Sequence, residues 1–380
     1  MFARVTRQVQ SVALNAMFLA PGDSGGPETY LRELVRALAT EYPGLRMSVL
    51  TTGAGERALR ADGYAELAEL VALPAEEYRR LRRQLAEQVL VQVHARRRGA
   101  ELLHSLASTG PVRTPGLRSV VTLHDVTFMD MATFGRVTTW GMAQIMRRAA
   151  HDADALIAVS AAARDTIAAR LGLDPGRFTV VPHGVGEVPR AAPAPEAPLR
   201  KRIGLPEGGR TVLCVAAVRP HKNQELLIRA LPELPGDVTL VLAGRPEAYA
   251  ERLRALAAEL GVTDRTLLTG YLPDADLEAL WALADAAAFP TRAEGFGLPV
   301  LEAMARGVPV ACSYIAVLRE VGGDVPVYFD PADPSAATAA IRAVLEDGER
   351  GRLGVERAAG FSWADAARGT MEAYERALVA

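Results

Sequence analysis

Residues Glu294 to Ala305 read Glu-Gly-Phe-Gly-Leu-Pro-Val-Leu-Glu-Ala-Met-Ala, and their types and spacing suit them to hold a charged, hydroxylated ligand. Gly295 and Gly297 let the backbone approach a ligand closely. Pro299 fits the first turn of a helix, where a missing N–H is not felt. The free amides of that turn, backed by the positive end of the helix dipole, attract an anion. Glu294 and Glu302 flank the turn, seven residues between them, and each carboxylate accepts hydrogen bonds from hydroxyls. Phosphates for the amides and ribose and hexose hydroxyls for the glutamates describe a sugar nucleotide.

Other runs offer complementary chemistry. Arg219-Pro220-His221-Lys222-Asn223 brings cations to a strand–helix junction, where they would neutralise a departing diphosphate. Gly22–Thr29 is a glycine-rich strand–helix turn, but it lacks the Gly-x-Gly-x-x-Gly spacing of a dinucleotide site, which argues against NAD or FAD. His124-Asp125 ends an apolar strand, a place where parallel sheets bind ligands. Two Asp-Ala-Asp triplets, 152–154 and 274–276, look like metal-binding pairs. The first leads into an apolar strand and the second sits where carboxylates cap a helix, so both read as structural and no metal site is expected.

These runs need elements to hold them. Short apolar stretches alternate with helical patterns, the mark of parallel sheets covered by helices. Strands are expected at 12–19, 47–51, 102–105, 120–123, 155–159 and 179–182, then at 211–218, 238–243, 266–268, 286–289 and 308–312. Helices are expected at 28–40, 76–97, 138–150 and 162–170, then at 226–230, 248–260, 277–284, 300–306 and 363–378. Residues 186–198, rich in Pro and Ala without periodicity, read as a proline-stiffened linker. The expected organisation is a doubly wound Rossmann-like domain over 1–185, a linker over 186–199, a second such domain over 200–362 and a terminal helix over 363–380.

Composition sets bounds. The chain has 380 residues, enough for two α/β cores, 49% of them apolar. A formal net charge of −2 gives no reason to expect nucleic acid. Apolar runs are strand-sized, which argues against a transmembrane helix. The N-terminal run, broken by Gln8, Gln10, Ser11 and Asn15, reads as a first strand rather than a signal peptide. Cys214 and Cys312 lie in apolar strands and read as buried thiols of a reducing cytoplasm.

The glutamate-bracketed motif, the Gly25-Gly26 loop, Lys222 and the order of elements together resemble family-4 glycosyltransferases over nearly the whole chain. That resemblance implies the GT-B fold: two Rossmann-like domains facing across a cleft, with the terminal helix packed on the first. It also implies a retaining, metal-independent hexosyltransferase that needs no cofactor beyond its sugar-nucleotide donor. On the donor it places the amides of Gly25 and Gly26 near the phosphate, Lys222 and Arg219 on the pyrophosphate, and Tyr271 and Leu272 around the base. Gly295, Phe296, Gly297 and Leu298 line the same ligand, with Glu302 on the ribose and Glu294 on sugar hydroxyls. His124, Lys222 and Glu294 are the implied catalytic residues; Asp125, Ser160 and His183 line the acceptor side.

The chain departs from the family at Ala216-Ala217, where Gly-Thr is common, at His183 for Asn, and at His221, where many relatives carry Arg. Whether Arg219 or His221 replaces that Arg stays open. No residue stands out as a covalent nucleophile, so front-face substitution is the expected chemistry, to a hydroxyl of a glycan, lipid carrier or metabolite. GDP-mannose, UDP- and dTDP-hexoses remain as donors. The competing readings are an inactive sugar-nucleotide-binding regulator, which the three departures favour, and a glycan phosphorylase, which would use free phosphate. Helix 76–98, with Arg79, Arg80, Arg82, Arg83, Arg96, Arg97 and Arg98, reads first as a solvated face and second as a contact with anionic lipid. The expected location is the cytoplasm, with its membrane face as the second reading. Oligomeric state is not legible.

Overall fold

The computed structural model describes residues 9–22, 24–74, 80–129 and 136–380. They form two compact units: the described residues up to Gly184 together with Ser362–Ala380, and Val185–Phe361.

The first unit is built on β1 (Ser11–Asn15), β2 (Arg46–Thr51), β3 (Glu69–Ala72), β4 (Leu102–Ser105), β5 (Arg118–Leu123), β6 (Ala155–Ala158) and β7 (Phe178–Val180). They run in the order β3-β2-β1-β4-β5-β6-β7, every neighbouring pair parallel. Buried on both faces, the central strands read as continuous apolar runs. The chain winds outward from β1 in one direction and from β4 in the other, so the order reverses between them. Ligands bind such sheets at that reversal, beyond the carboxyl ends of the strands.

Strand β1 ends at Asn15, four residues short of the expected strand. There Asn15 turns its amide inward to Glu87 at 2.7 Å and accepts from the Met17 N–H at 3.2 Å, which bends the backbone out of the sheet. The expected helix over 76–97 is described from Arg80 to Arg97, and residues 75–79 lie outside the described residues.

The terminal helix, Trp363–Val379, belongs to this unit. Its buried stripe is Trp363, Ala366, Ala367, Thr370, Met371, Tyr374 and Ala377, spaced three and four apart as one helical face requires. It is pinned by a buried polar chain that the sequence did not announce. The Tyr30 hydroxyl lies 3.0 Å from Thr122 Oγ1, which lies 2.7 Å from His104 Nε2, while His104 Nδ1 meets the Tyr374 hydroxyl at 2.8 Å. His104 is fully buried, and burial lowers its pKa from 6.5 to about 3.

That shift has a sign. As pH falls below 6.5 the unfolded chain protonates His104 and the native chain does not, so stability is lost on acidification until the native imidazole titrates near 3. At pH 5 the contribution is about 2 kcal/mol. In urea unfolding, His104→Gln should narrow the stability gap between pH 7 and pH 5 by that amount. Equal gaps in variant and parent would contradict the assignment.

The second unit carries β8 (Arg210–Val215), β9 (Val238–Ala243), β10 (Thr266–Gly270), β11 (Ala286–Phe289), β12 (Val310–Ser313) and β13 (Val327–Phe329). They form an all-parallel sheet in the order β10-β9-β8-β11-β12-β13, which reverses between β8 and β11. The run expected as a proline-stiffened linker is anchored to this unit at several points. Ala194 N–H donates to Ala275 O at 2.8 Å, Arg190 N–H donates to Glu278 at 3.0 Å, and a helix begins at Glu196. A proline-rich run without periodicity hides such anchoring, because it is made by single backbone groups rather than by a repeating apolar face.

Candidate active site

In the second unit the two loops at the reversal carry the motif residues. One follows β8 and runs through Ala216 to Asn223; the other follows β11 and runs from Pro290 to Gly297. Side-chain and backbone hydrogen bonds stitch them together. The His221 carbonyl accepts from the Arg292 N–H at 2.9 Å and from Thr291 Oγ1 at 3.2 Å. Asn223, 3% exposed and left-handed at φ 57°, donates through Nδ2 to Pro290 O at 3.0 Å and to Pro331 O at 2.9 Å. Asparagine tolerates that backbone better than most residues. Its type before a helix was the only signal of this task.

The stitching sets Lys222 against Glu294. Nζ lies 2.5 Å from Oε1, with the two side chains 18% and 16% exposed. Both line a concavity with Ala216, Thr291, Gly297 and Pro299. Cys214 also borders it, but burial pushes its thiol up to about 12, so it stays protonated and is no nucleophile.

Gly297 caps the helix Leu298–Ala305 with φ 99°, and a Cβ there would lie 2.5 Å from Leu318 Cδ2. Only glycine fits this turn. The Val300 and Leu301 N–H groups donate to Gly297 O at 3.0 and 3.3 Å and Pro299 has no N–H, so what this turn presents beside Lys222 and Glu294 is the positive end of the helix dipole. Phe296 is buried, its ring packed edge-on against Phe361 with centroids 5.9 Å apart, which fixes the turn from behind. An ammonium, the positive end of a helix dipole and a carboxylate converge here, a setting for a phosphate beside an acceptor for hydroxyls.

Glu302 lies one turn into the helix, and Arg190 Nη2 donates to its Oε1 at 2.5 Å. The sequence singled out Glu302 but not Arg190. Arg219 lies on the same loop as Lys222, and its Nε meets Glu247 at 2.6 Å, with both side chains 39% exposed. Tyr271, just past β10, is 62% exposed, and Leu272 follows it half-buried.

The other singled-out residues belong to the first unit. Gly25, at φ 57°, caps the helix Gly26–Glu41 and is exposed with Gly26; Asp23 of that loop lies outside the described residues. His124 follows β5. Its Nε2 donates to Leu106 O at 2.7 Å, which leaves Nδ1 as the acceptor nitrogen of the neutral ring. Burial lowers its pKa against the opposing pull of the Leu106 carbonyl and Asp125. Asp125 does not hold the imidazole by a hydrogen bond; its Oδ1 accepts the Thr127 N–H at 2.8 Å and closes a turn.

His183 is 3% exposed, its ring 5.5 Å from that of His124 and 4.9 Å from that of Tyr30, and burial lowers its pKa strongly. Ser160 is fully buried, and its Oγ accepts the Ala163 N–H at 3.0 Å as a helix cap. The acidic triplets also have structural partners: Asp154 pairs with Arg118 at 2.7 Å and Asp276 with Arg202 at 2.6 Å.

With this geometry in place, likeness to known proteins decides the family. Residues 24–186 match the model described as Glycosyltransferase Family 4, and residues 196–358 match Glycosyl transferases group 1. A GDP-mannose-dependent alpha-(1-6)-phosphatidylinositol monomannoside mannosyltransferase of Mycolicibacterium smegmatis is 34% identical, over 68% of this chain and 69% of its own.

The chain belongs to glycosyltransferase family 4. A D-inositol 3-phosphate glycosyltransferase of Kineococcus radiotolerans is 28% identical over 99% of this chain and 97% of its own. In fold, this glycosyltransferase matches a sucrose-phosphate synthase from Thermosynechococcus elongatus, with TM-score 0.75 and 21% identity over 96% of this chain and 98% of that one. It matches equally an Anabaena protein, Alr3699/HepE, solved with UDP and glucose, with TM-score 0.75 and 19% identity over 96% and 98%. The two parallel sheets, of seven and six strands, are those of the GT-B fold. Among the described residues, no helix is long and apolar enough to cross a membrane.

Proposed function

We propose that this glycosyltransferase moves a hexose, mannose from GDP-mannose foremost, to an acceptor hydroxyl with retention of anomeric configuration and without a catalytic metal. The observation that carries the reading is the Lys222–Glu294 pair at the open end of the Leu298–Ala305 helix. On arrival the donor diphosphate competes for the ammonium that Glu294 holds, and the positive end of the helix dipole favours its charge. Glu294, released from Lys222, accepts sugar hydroxyls. Charge on the leaving diphosphate is met by Lys222 and the helix dipole, which is work a metal performs elsewhere. Neutral His124 serves the acceptor through Nδ1. Front-face substitution suits a site with no activated nucleophile, the leaving phosphate taking the acceptor's proton.

Two relatives support the narrower assignment: the name of one contains GDP-mannose, and both names contain an inositol acceptor. The proposed acceptor is therefore a polyol of inositol type, free or lipid-linked, with UDP- and dTDP-hexoses as the other donors. A cytoplasmic enzyme working at the membrane's inner face fits such an acceptor. Exposed Arg96 and Arg97 at the end of the helix Arg80–Arg97 would meet anionic lipid.

The test is transfer from GDP-mannose, UDP-glucose and dTDP-glucose to inositol phosphate and phosphatidylinositol, with and without EDTA, the product anomer being read by NMR. Acceptor-dependent release of one nucleoside diphosphate, insensitive to EDTA and giving a retained anomer, is expected. Nucleotide binding without transfer to any acceptor would instead mark a regulator. Sugar release that needs free phosphate and no nucleotide would mark a phosphorylase.

A further inference from the structure

Glu302 is not an isolated carboxylate on its helix. Arg190, from the proline-rich run before the Glu196–Ile203 helix, donates through Nη2 to Glu302 Oε1 at 2.5 Å, the side chains being 29% and 17% exposed. Both partners are tied to one buried anchor. Arg306 and Glu278, 7% and 5% exposed, form a two-pronged pair: Nη2 to Oε1 at 2.5 Å and Nε to Oε2 at 3.0 Å. The same Glu278 Oε1 accepts the Arg190 N–H at 3.0 Å, and Arg306 Nη1 donates to Glu302 O at 2.9 Å. The Arg306 guanidinium also lies 5.6 Å from the Trp281 ring centroid. The anchor therefore fixes Arg190 by its backbone and Glu302 by its turn, so the distance between their side chains is set by buried charge on both sides.

We infer that Arg190 is a positioning residue for the donor's ribose: it holds Glu302 by one oxygen and aims the other at the ribose hydroxyls. This rests on the proposed role of Glu302. A single charge-assisted bond is suited to the task, because it holds one carboxylate oxygen and leaves the other to accept from a ligand. Two different segments, 112 residues apart, thus build one hydroxyl-binding group. Arg190 touches no reacting atom, so its removal weakens donor binding and leaves the chemical step intact.

The test compares GDP with 2′,3′-dideoxy-GDP by calorimetry (the uridine pair where UDP binds tighter), alongside steady-state kinetics. Wild-type enzyme should prefer the ribose form, and Glu302→Ala should abolish the preference. Arg190→Ala should raise KM for the nucleotide sugar about tenfold with kcat within about twofold, and should erase most of the ribose preference. Arg190→Lys should recover part of it, and it keeps a cation at the site should the alanine variant fold poorly. In the Glu302→Ala background, Arg190→Ala should change nothing further.

An undiminished ribose preference in Arg190→Ala, beside a lost one in Glu302→Ala, would overturn the positioning role alone. Tighter donor binding in Arg190→Ala would overturn it too, because Arg190 would then be blocking Glu302. No ribose preference in the wild type would instead remove the reading of Glu302 on which the inference stands.

Discussion

Lys222→Ala should lower kcat by about 10²–10³, with nucleoside diphosphate binding weakened as well. The ammonium sits 2.5 Å from Glu294 in a largely enclosed position, and it is the cation the two stitched loops deliver to the open end of the helix. Its removal takes away charge compensation that grows as the diphosphate departs, so the loss belongs to kcat more than to KM. Glu294→Gln should fall by a comparable factor for a different reason. The amide keeps the shape but gives up both the ionic partner of Lys222 and the charged acceptor for sugar hydroxyls. The double variant should be little worse than either single one, because the residues act as a unit. Full activity in Lys222→Ala, at unchanged melting temperature, would show that the diphosphate does not use this site.

The second large effect is expected from a residue with no functional group. Gly297 sits at φ 99° with Leu318 Cδ2 2.5 Å from where a Cβ would lie, and Leu318 is fully buried. Gly297→Val imposes both a backbone that branched residues avoid and a collision with a side chain that has nowhere to move. The turn must shift, carrying Glu294 and the head of the helix with it. A displacement of about 1 Å is enough for a 10²-fold loss of turnover. Stability should fall by about 1–3 kcal/mol. Kinetics and urea unfolding on one preparation check both numbers. Wild-type turnover in Gly297→Val would mean that the turn does not position the site.

The parts of the fold that could be read from the sequence are those where burial leaves a continuous apolar run. Val238–Ala243 and Ala286–Phe289 were expected at the bounds observed. Strand β3 escaped notice because it alternates exposure and begins at Glu69, and β13 because it has only three residues. The helices Pro334–Glu346 and Glu349–Ala358 were also missed; the first opens on a proline and the second is interrupted by Gly351 and Gly354, residues that read as loop in a local pattern.

The site divides in the same way. Lys222, Glu294 and Glu302 were legible because their residue types and local spacing carry chemistry. Their partners were not. Lys222 meets Glu294 across 72 residues and Arg190 meets Glu302 across 112, distances that no local pattern bridges. Arg219 has a distant partner of the same kind: the loop after β9 supplies Glu247, 2.6 Å from its Nε. The turn that Asp125 closes by accepting the Thr127 N–H was likewise not legible beforehand.

The central claim is that the Lys222–Glu294 concavity binds a nucleoside diphosphate sugar. Calorimetric titration of GDP-mannose, UDP-glucose and dTDP-glucose into wild-type protein and Lys222→Ala, each with and without EDTA, tests it most directly. One nucleotide class should bind the wild type with a 1:1 stoichiometry unaffected by EDTA, and the same ligand should bind Lys222→Ala at least tenfold more weakly. Binding of equal strength to both proteins, or to neither, would contradict the account.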